Sequence, residues 1–473
     1  MDTKKAVFFD KVKNFFSGDL FIVAAAAVIF IGWVTGLWAA FLCLLAVLCA
    51  APLFFTDSNR SLLVFFMQFT FIISHNHHDL ASYWWLLFLL VPLFAGMIFQ
   101  SIRNRKNYRW NVLRPSKIKG QHFYLLLLLI PFALGGIARS HEKPLVIVLA
   151  ALIVFLIGTA YTYFVVSNVG REDKEDMPSF VLKNLVAVGA VISLQMIVYY
   201  LKLGSSDAVL RTIADKTHNL GWGGPNNIGT IYTMTIPATL YFCTKDWNKT
   251  PFFVVGAMAE YALLISTGCR GSIFVVTFAL PIMILYIMAV TPRKRAFGFA
   301  LSATFIAVGV ALLFTASKVI PALADRLAMG LDSNGRMDFE YPAAWEAFRN
   351  HPIFGVGWDY MMGERVNDGY TPLWFHSTLL QVIAMMGVLG LLFHGIWTFQ
   401  RYRTFFLMRK DPRVQFLFVS TLLFEGYCMV DTGFFSPSFF IMMLIIQFSV
   451  DIILPDEEGF ALPRSWFEPI ADD

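Results

Sequence analysis

Phe375-His376-Ser377-Thr378-Leu379-Leu380-Gln381-Val382-Ile383-Ala384-Met385-Met386-Gly387-Val388-Leu389-Gly390 sets one titratable side chain where a polar loop runs into a long apolar helix. At about 100° per residue, positions 11 and 14 further along return to within roughly 40° of the start, so His376, Gly387 and Gly390 are expected on one helix face. Small residues there would admit a neighbouring helix at close range. Taken alone, the pattern fits either an interfacial histidine above a packing seam or a histidine held ready for chemistry.

Outward from that helix, apolar residues recur in blocks of about twenty, in a chain of 473 residues that is 57% hydrophobic and 15% charged. This spacing predicts an all-α polytopic membrane protein with about 12–14 transmembrane helices. The apolar segments are 20–35, 37–55, 61–75, 83–101, 122–138, 145–167, 184–201, 228–243, 251–268, 271–290, 296–316, 376–399, 415–430 and 439–454, and the first two also fit a re-entrant pair. One integral membrane domain over 1–473 is expected, with 317–375 as its large extracytoplasmic loop. Lys4, Lys5, Lys11 and Lys13 precede an apolar run too long for a cleavable signal, so the first span is expected to be retained.

The net charge of +5 does not imply nucleic acid, because the basic residues sit in short loops between spans. With the N-terminus inside, the loops assigned to the cytoplasm hold 26 of the 37 lysines and arginines. The stretch from Arg103 to Lys119 is rich in basic residues and has no acidic one, and it sets the orientation. Both termini are therefore expected in the cytoplasm. Arg401, Arg403, Arg409, Lys410 and Arg413 are read as inside-facing topology determinants. Cys43, Cys49, Cys243, Cys269 and Cys428 show no metal-ligand spacing and are read as packing residues.

Two loops on the opposite side are long enough to carry function. The first, 202–227, ends in Asn219-Leu220-Gly221-Trp222-Gly223-Gly224-Pro225-Asn226-Asn227, which predicts an irregular turn into the next span. The second contains Met337 to Arg349, whose apolar residues recur at helical spacing and predict an amphipathic helix lying on the membrane.

Three polar positions share that side. Arg270 lies between two tightly connected apolar segments, at the membrane boundary, where an arginine is costly unless paired or facing a wet cavity. Arg336 precedes the amphipathic helix, and His376 ends the same loop. Two permanent cations and a group titrating near neutrality suit the transfer of a glycan from a lipid diphosphate. Arginine forks match phosphate oxygens and can stabilise the leaving group, while histidine can take a proton from an acceptor hydroxyl. No acidic pair or DxD element stands out in the outer loops, so transfer without a metal or other cofactor is expected. Arg211 and Lys216 are candidate substrate-binding residues, with His218 beside them, unless they are solvated loop charges. His75-Asn76-His77-His78-Asp79 has metal-like density but reads better as an interfacial polar cap.

Here the residues also meet a family. His376-Ser377, nine residues, Gly387, two residues and Gly390 resemble the His-[Asn/Ser/Gln]-x9-Gly-x2-Gly signature of the O-antigen ligases, relatives of polysaccharide polymerases and O-oligosaccharyltransferases. Ser266-Thr267-Gly268-Cys269-Arg270-Gly271-Ser272 is similar to the family's Ser-Arg-Gly element, with Cys269 replacing the more usual serine or threonine. Gly335-Arg336 followed by Trp345, and His351-Pro352-Ile353-Phe354-Gly355-Val356-Gly357, resemble its loop elements. The resemblance implies a GT-C-type fold and inverting transfer from undecaprenyl diphosphate to a lipid A-core, with Arg270 and Arg336 binding diphosphate and His376 as base or acceptor-orienting residue. It also implies an inner-membrane protein with its active site on the periplasmic side, and membrane lipids as surroundings.

Two alternatives within the class are a Wzy-like polymerase, which would use a growing glycan as acceptor, and a protein O-oligosaccharyltransferase. A transporter or flippase is the alternative from another class, and it predicts charged or broken helices near mid-membrane.

Overall fold

A computed structural model describes residues 11–16, 18–56, 58–74, 90–103, 175–245, 249–290, 336–357, 375–431 and 433–454, with a few short pieces between them. The expectations for 145–167 and His75–Asp79 lie outside these residues, as do most of those for 104–119, 122–138, 296–316 and 317–335. The regular secondary structure of the described residues is helical, apart from a two-residue antiparallel pair, Arg365–Val366 with Gly369–Tyr370.

The helices are α1 (Asp19–Thr35), α2 (Trp38–Phe55), α3 (Arg60–Gln68), α4 (Leu90–Arg103), α5 (Met177–Lys202), α6 (Ser206–Asp215), α7 (Pro225–Phe242), α8 (Thr250–Ser266), α9 (Arg270–Val290), α10 (Tyr341–Asn350), α11 (Thr378–Leu407), α12 (Pro412–Cys428) and α13 (Pro437–Asp451). Among the described residues, α2, α5, α9 and α11 are long and apolar enough to cross a membrane, and shorter apolar helices accompany them. Residues 20–55 form two helices, because Gly36 takes a left-handed conformation and closes α1 on the carbonyl of Trp33. Phe252, Phe278 and Ile282 are more than 60% exposed, an outward apolar coat that suits lipid and not water. The protein is an all-α polytopic membrane protein.

Helix α7 forms the centre of the bundle, with every residue from Ile228 to Tyr241 buried among α5, α8, α9 and α12. Its threonines serve a buried carboxyl group: Thr235 and Thr239 donate to Glu260 of α8 at 2.8 and 2.9 Å. A polar group in an apolar bundle must be hydrogen-bonded to persist, and these two threonines supply the partners.

Two expectations change. Gly387 does not continue the helix from His376. Its φ of 62° and ψ of −155° break α11, so the rotation that put His376, Gly387 and Gly390 on one face does not run through. The loop 352–357 docks into the break: Val356 and Gly357 donate to the carbonyls of Ala384 and Met385, while Val388 and Leu389 donate to those of Pro352 and Ile353. A Cβ on Gly355 would come 2.3 Å from Met385, which only glycine avoids. The two glycine-containing elements therefore form one backbone junction, not a helix-packing seam.

The second change concerns Arg401. It is buried within α11 and ion-paired with Glu425 of α12, so it lies in a packed helix and not in a connecting loop.

Candidate functional site

The site is assembled where several helices begin or end. Helix α6 starts at Ser205, whose hydroxyl accepts from the amide of Ala208, and it stops where Lys216 turns left-handed with φ 56°. The chain then winds to α7 through a loop pinned from several sides. The Trp33 indole donates to the carbonyl of Leu220 at 2.7 Å, the Trp222 indole donates to Gln195 at 2.9 Å, and Asn219 accepts from the amide of Gly221. Pro225 opens α7, which places Asn226 in its first turn. Lys216 Nζ donates to Asn226 Oδ1 at 2.7 Å.

Asn226 passes the connection on. Its Nδ2 donates to Oδ2 of Asp431 at 3.0 Å. Asp431 follows α12 and also accepts from the hydroxyl of Tyr427, while its Oδ1 lies 3.5 Å from Nδ1 of His376. His376 itself has φ 44°, so His376 and Lys216 are the non-glycine residues with left-handed backbone among those described. Side chains other than Asn, Asp and His rarely take that conformation, and strained positions of this kind cluster at functional sites. Ser377 then caps α11, and Gln381 Oε1 accepts from the amide of Phe375 at 3.1 Å, fixing the histidine's backbone from both sides.

Arg270 reaches the same place through a close approach. The turn between α8 and α9 is held by Thr267, whose hydroxyl accepts from the amide of Cys269 at 3.1 Å. A Cβ on Gly271 would meet Val430 at 2.8 Å and Tyr427 at 2.9 Å, so the first turn of α9 lies directly on the end of α12. Cys269 Sγ donates to the Tyr427 hydroxyl at 3.4 Å and lies 3.4 Å from Ser272 Oγ, and it sits buried behind the arginine.

Arg336 opens a π-helical turn, Arg336–Glu340, that runs straight into α10, and its Nη1 donates to the carbonyl of Val430 at 2.7 Å. Such turns insert an extra residue into a helix and are frequent at functional sites. Helix α10 packs the small residues Ala344 and Ala347 into a satellite core with Val356, Phe375 and Ala384. The amphipathic helix of the loop thereby becomes the wall that carries Arg336 and Glu340.

The fields at these groups agree with their grouping. Burial holds Lys216 below the ordinary lysine value; Arg336 and Arg270 push the same way, against the pull of Cys269 and Asp431. Glu340 is raised above the usual carboxylate value, first by burial and then by Asp431, while His376 and Arg336 oppose the rise. Its Oε2 is buried without a hydrogen-bond partner among the described residues. Behind this wall, His218 Nε2 lies 2.7 Å from the Tyr200 hydroxyl, which donates to Ser266 at 2.8 Å, so the imidazole donates to the tyrosine oxygen. Burial and the neighbouring Lys216 lower His218 to about 4.

The structure thus brings His376, Arg270, Arg336 and Lys216 together at one end of the bundle. Arg211 lies on the exposed side of α6. Sequence reasoning missed Asp431, Asn226, Tyr427 and Glu340. No local motif revealed Asp431 and Glu340, because they stand 91 positions apart. An acid directly after an apolar span was the available signal for Asp431. Among the described residues no group of three or more His, Cys, Asp or Glu could hold a metal ion.

Residues 253–395 match the family model described as O-antigen ligase. That region contains Arg270, Arg336 and His376, together with α10 and the junction at Gly387. No curated protein matches the chain.

Proposed function

Starting from the O-antigen ligase family region at 253–395, we propose that the protein is a metal-independent, inverting glycosyltransferase. It moves a glycan from undecaprenyl diphosphate to a hydroxyl of the lipid A-core on the extracytoplasmic face of the inner membrane, with both termini in the cytoplasm. The supporting observation is the convergence of Arg336, Arg270, Lys216 and the His376–Asp431 pair on the end of α12.

With Nδ1 turned to Asp431, Nε2 of His376 is the nitrogen for the acceptor. It takes the hydroxyl proton as the acceptor oxygen bonds to the anomeric carbon. The bond from that carbon to the diphosphate breaks, and its electron pair leaves with the lipid diphosphate. The cations stabilise the growing charge, and Asp431 stabilises the imidazolium. The GT-C-type fold is part of the same reading. A transporter would also use a broken helix, but the break in α11 is filled by backbone hydrogen bonds from loop 352–357, and the family match favours transfer.

The test uses purified protein in lipid with a glycan-loaded undecaprenyl diphosphate donor and a lipid A-core acceptor. His376→Ala is expected to lower the transfer rate by about 10²–10⁴. Unchanged transfer would remove the base role. In cells lacking the protein, lipid-linked long polymer should accumulate; accumulation of single repeat units would favour a polymerase.

A further inference from the structure

Asn226 stands between two opposite charges that the site keeps apart. Lys216 Nζ donates to its Oδ1 at 2.7 Å, and its Nδ2 donates to Asp431 Oδ2 at 3.0 Å. An ammonium can only donate and a carboxylate can only accept, so the amide has one workable orientation. Turned over, it would set its NH2 against the lysine and its oxygen against the aspartate.

Both backbones are fixed. Lys216 ends α6 in a left-handed conformation, with its amide bonded to the carbonyls of Ile213 and Thr212. Asn226 lies in the first turn of α7 behind Pro225, and its carbonyl accepts from the Thr230 hydroxyl at 2.8 Å. What can move is the lysine's four-carbon stem. The ammonium and Asp431 lie one amide group apart, and the aspartate's field acts on Lys216. Lys216 nevertheless forms no ion pair among the described residues, and Oδ1 of Asp431 faces His376.

We propose that Asn226 is a positioning residue, an uncharged spacer that keeps Lys216 off Asp431, an assignment that rests on the proposed function. With the spacer in place, the lysine's charge stays with the lipid diphosphate and the aspartate's stays with His376. Without it, the stem carries the ammonium across to Asp431. That one contact neutralises the carboxylate that stabilises the imidazolium and takes a cation from the leaving group. An aspartate at this position would hold the lysine but neutralise it, and would repel Asp431. A neutral group with both an acceptor and a donor satisfies the two at once.

The experiment measures glycan transfer by the purified full chain in nanodiscs, from glycan-loaded undecaprenyl diphosphate to a lipid A-core, for Asn226→Leu, Lys216→Met and the two together. Leucine has a similar volume and makes neither hydrogen bond. Alone, Asn226→Leu should lower kcat about tenfold, a fraction of what a positioned base supplies, and raise the donor KM. With Lys216→Met already in place, the same change should leave kcat within about twofold, because no ammonium remains to take Asp431. An asparagine needed only for folding would cost the same factor in both backgrounds. That result, or an unchanged kcat in Asn226→Leu, overturns the proposal. Asn226→Asp keeps the shape and serves if leucine unfolds the chain: it should raise the donor KM as far as Lys216→Met does, and a wild-type donor KM overturns the proposal as well. If His376→Ala still transfers glycan, the proposed function fails, whereas equal costs in the two backgrounds with His376→Ala inactive remove the spacer alone.

Discussion

Arg401 and Arg336 both lie against α12, and the protein treats them in opposite ways. Arg401 is 1% exposed and has an ion pair, an aromatic face and a threonine hydroxyl, so its charge is spent within the bundle. Arg336 donates to a backbone carbonyl, and no ion pair to it is found among the described residues. Of the carboxylates nearby, Asp431 is shared by Tyr427, Asn226 and His376, and Glu340 makes no ion pair with the arginine among the described residues. A neutralised arginine holds helices together, whereas one bound only to a neutral oxygen keeps its field for a ligand.

The sharpest way to break this contrast is to strand the inner charge. Glu425→Ala leaves Arg401 buried without its carboxylate and should destabilise the protein by about 3–5 kcal/mol, whereas Arg401→Met with Glu425→Leu should be near neutral. Thermal unfolding in detergent compares the two. If the double variant is as damaged as the single one, the pair does more than neutralise itself. Replacing the outer arginine reverses the pattern. Arg336→Lys should lower transfer by about 10²-fold, because the fork onto phosphate is lost, while thermal stability stays near wild type. Equal transfer by lysine would mean that only charge is required.

How much of this was legible in the sequence depends on how local each signal is. Segment spacing revealed the helices, because lipid demands long apolar runs. Arg270, Arg336 and His376 were legible because each lies in a short motif at a helix end. Lys216 was visible as a cation in a polar loop. Asp431 carries no periodicity of its own and gains its meaning only from the approach of α7, α9 and α11. The pairing of Arg401 was not legible for the same reason: its partner, Glu425, is 24 residues away on the next helix. The Gly387 reading failed because a helical period presumes a helix, and the hydrogen bonds that break α11 come from loop 352–357.

Within the cluster around His376, Asp431→Asn tests the proposed orienting role of this carboxylate. Asparagine keeps the shape but removes the charge beside His376, so the turnover rate should fall about tenfold, a fraction of what a positioned base supplies, with the KM for donor little changed. A change confined to KM would make Asp431 a binding residue instead. Glu340→Gln provides the counterpart: its Oε2 is buried without a partner among the described residues and its charge interacts with His376 and Arg336, so the change should alter the KM for acceptor more than the turnover rate.

The smallest expected effect concerns His218, which supports the wall behind Lys216. In the folded chain it is held at about 4, against an ordinary 6.5, by burial and by Lys216. The unfolded chain therefore binds a proton that the folded chain refuses between those values. Stability contributed by the neutral imidazole is complete above pH 6.5 and is lost as the pH falls toward 4. Lowering the pH from 6.5 to 5.5 should cost about 1 kcal/mol through this residue. His218→Gln, which keeps a donor for Tyr200 and cannot titrate, should lose less stability than wild type over that interval in thermal unfolding. An identical pH slope in the two proteins would mean that the imidazole is not held neutral, and that the contact between Lys216 and its supporting wall is looser than the hydrogen bond to Tyr200 requires.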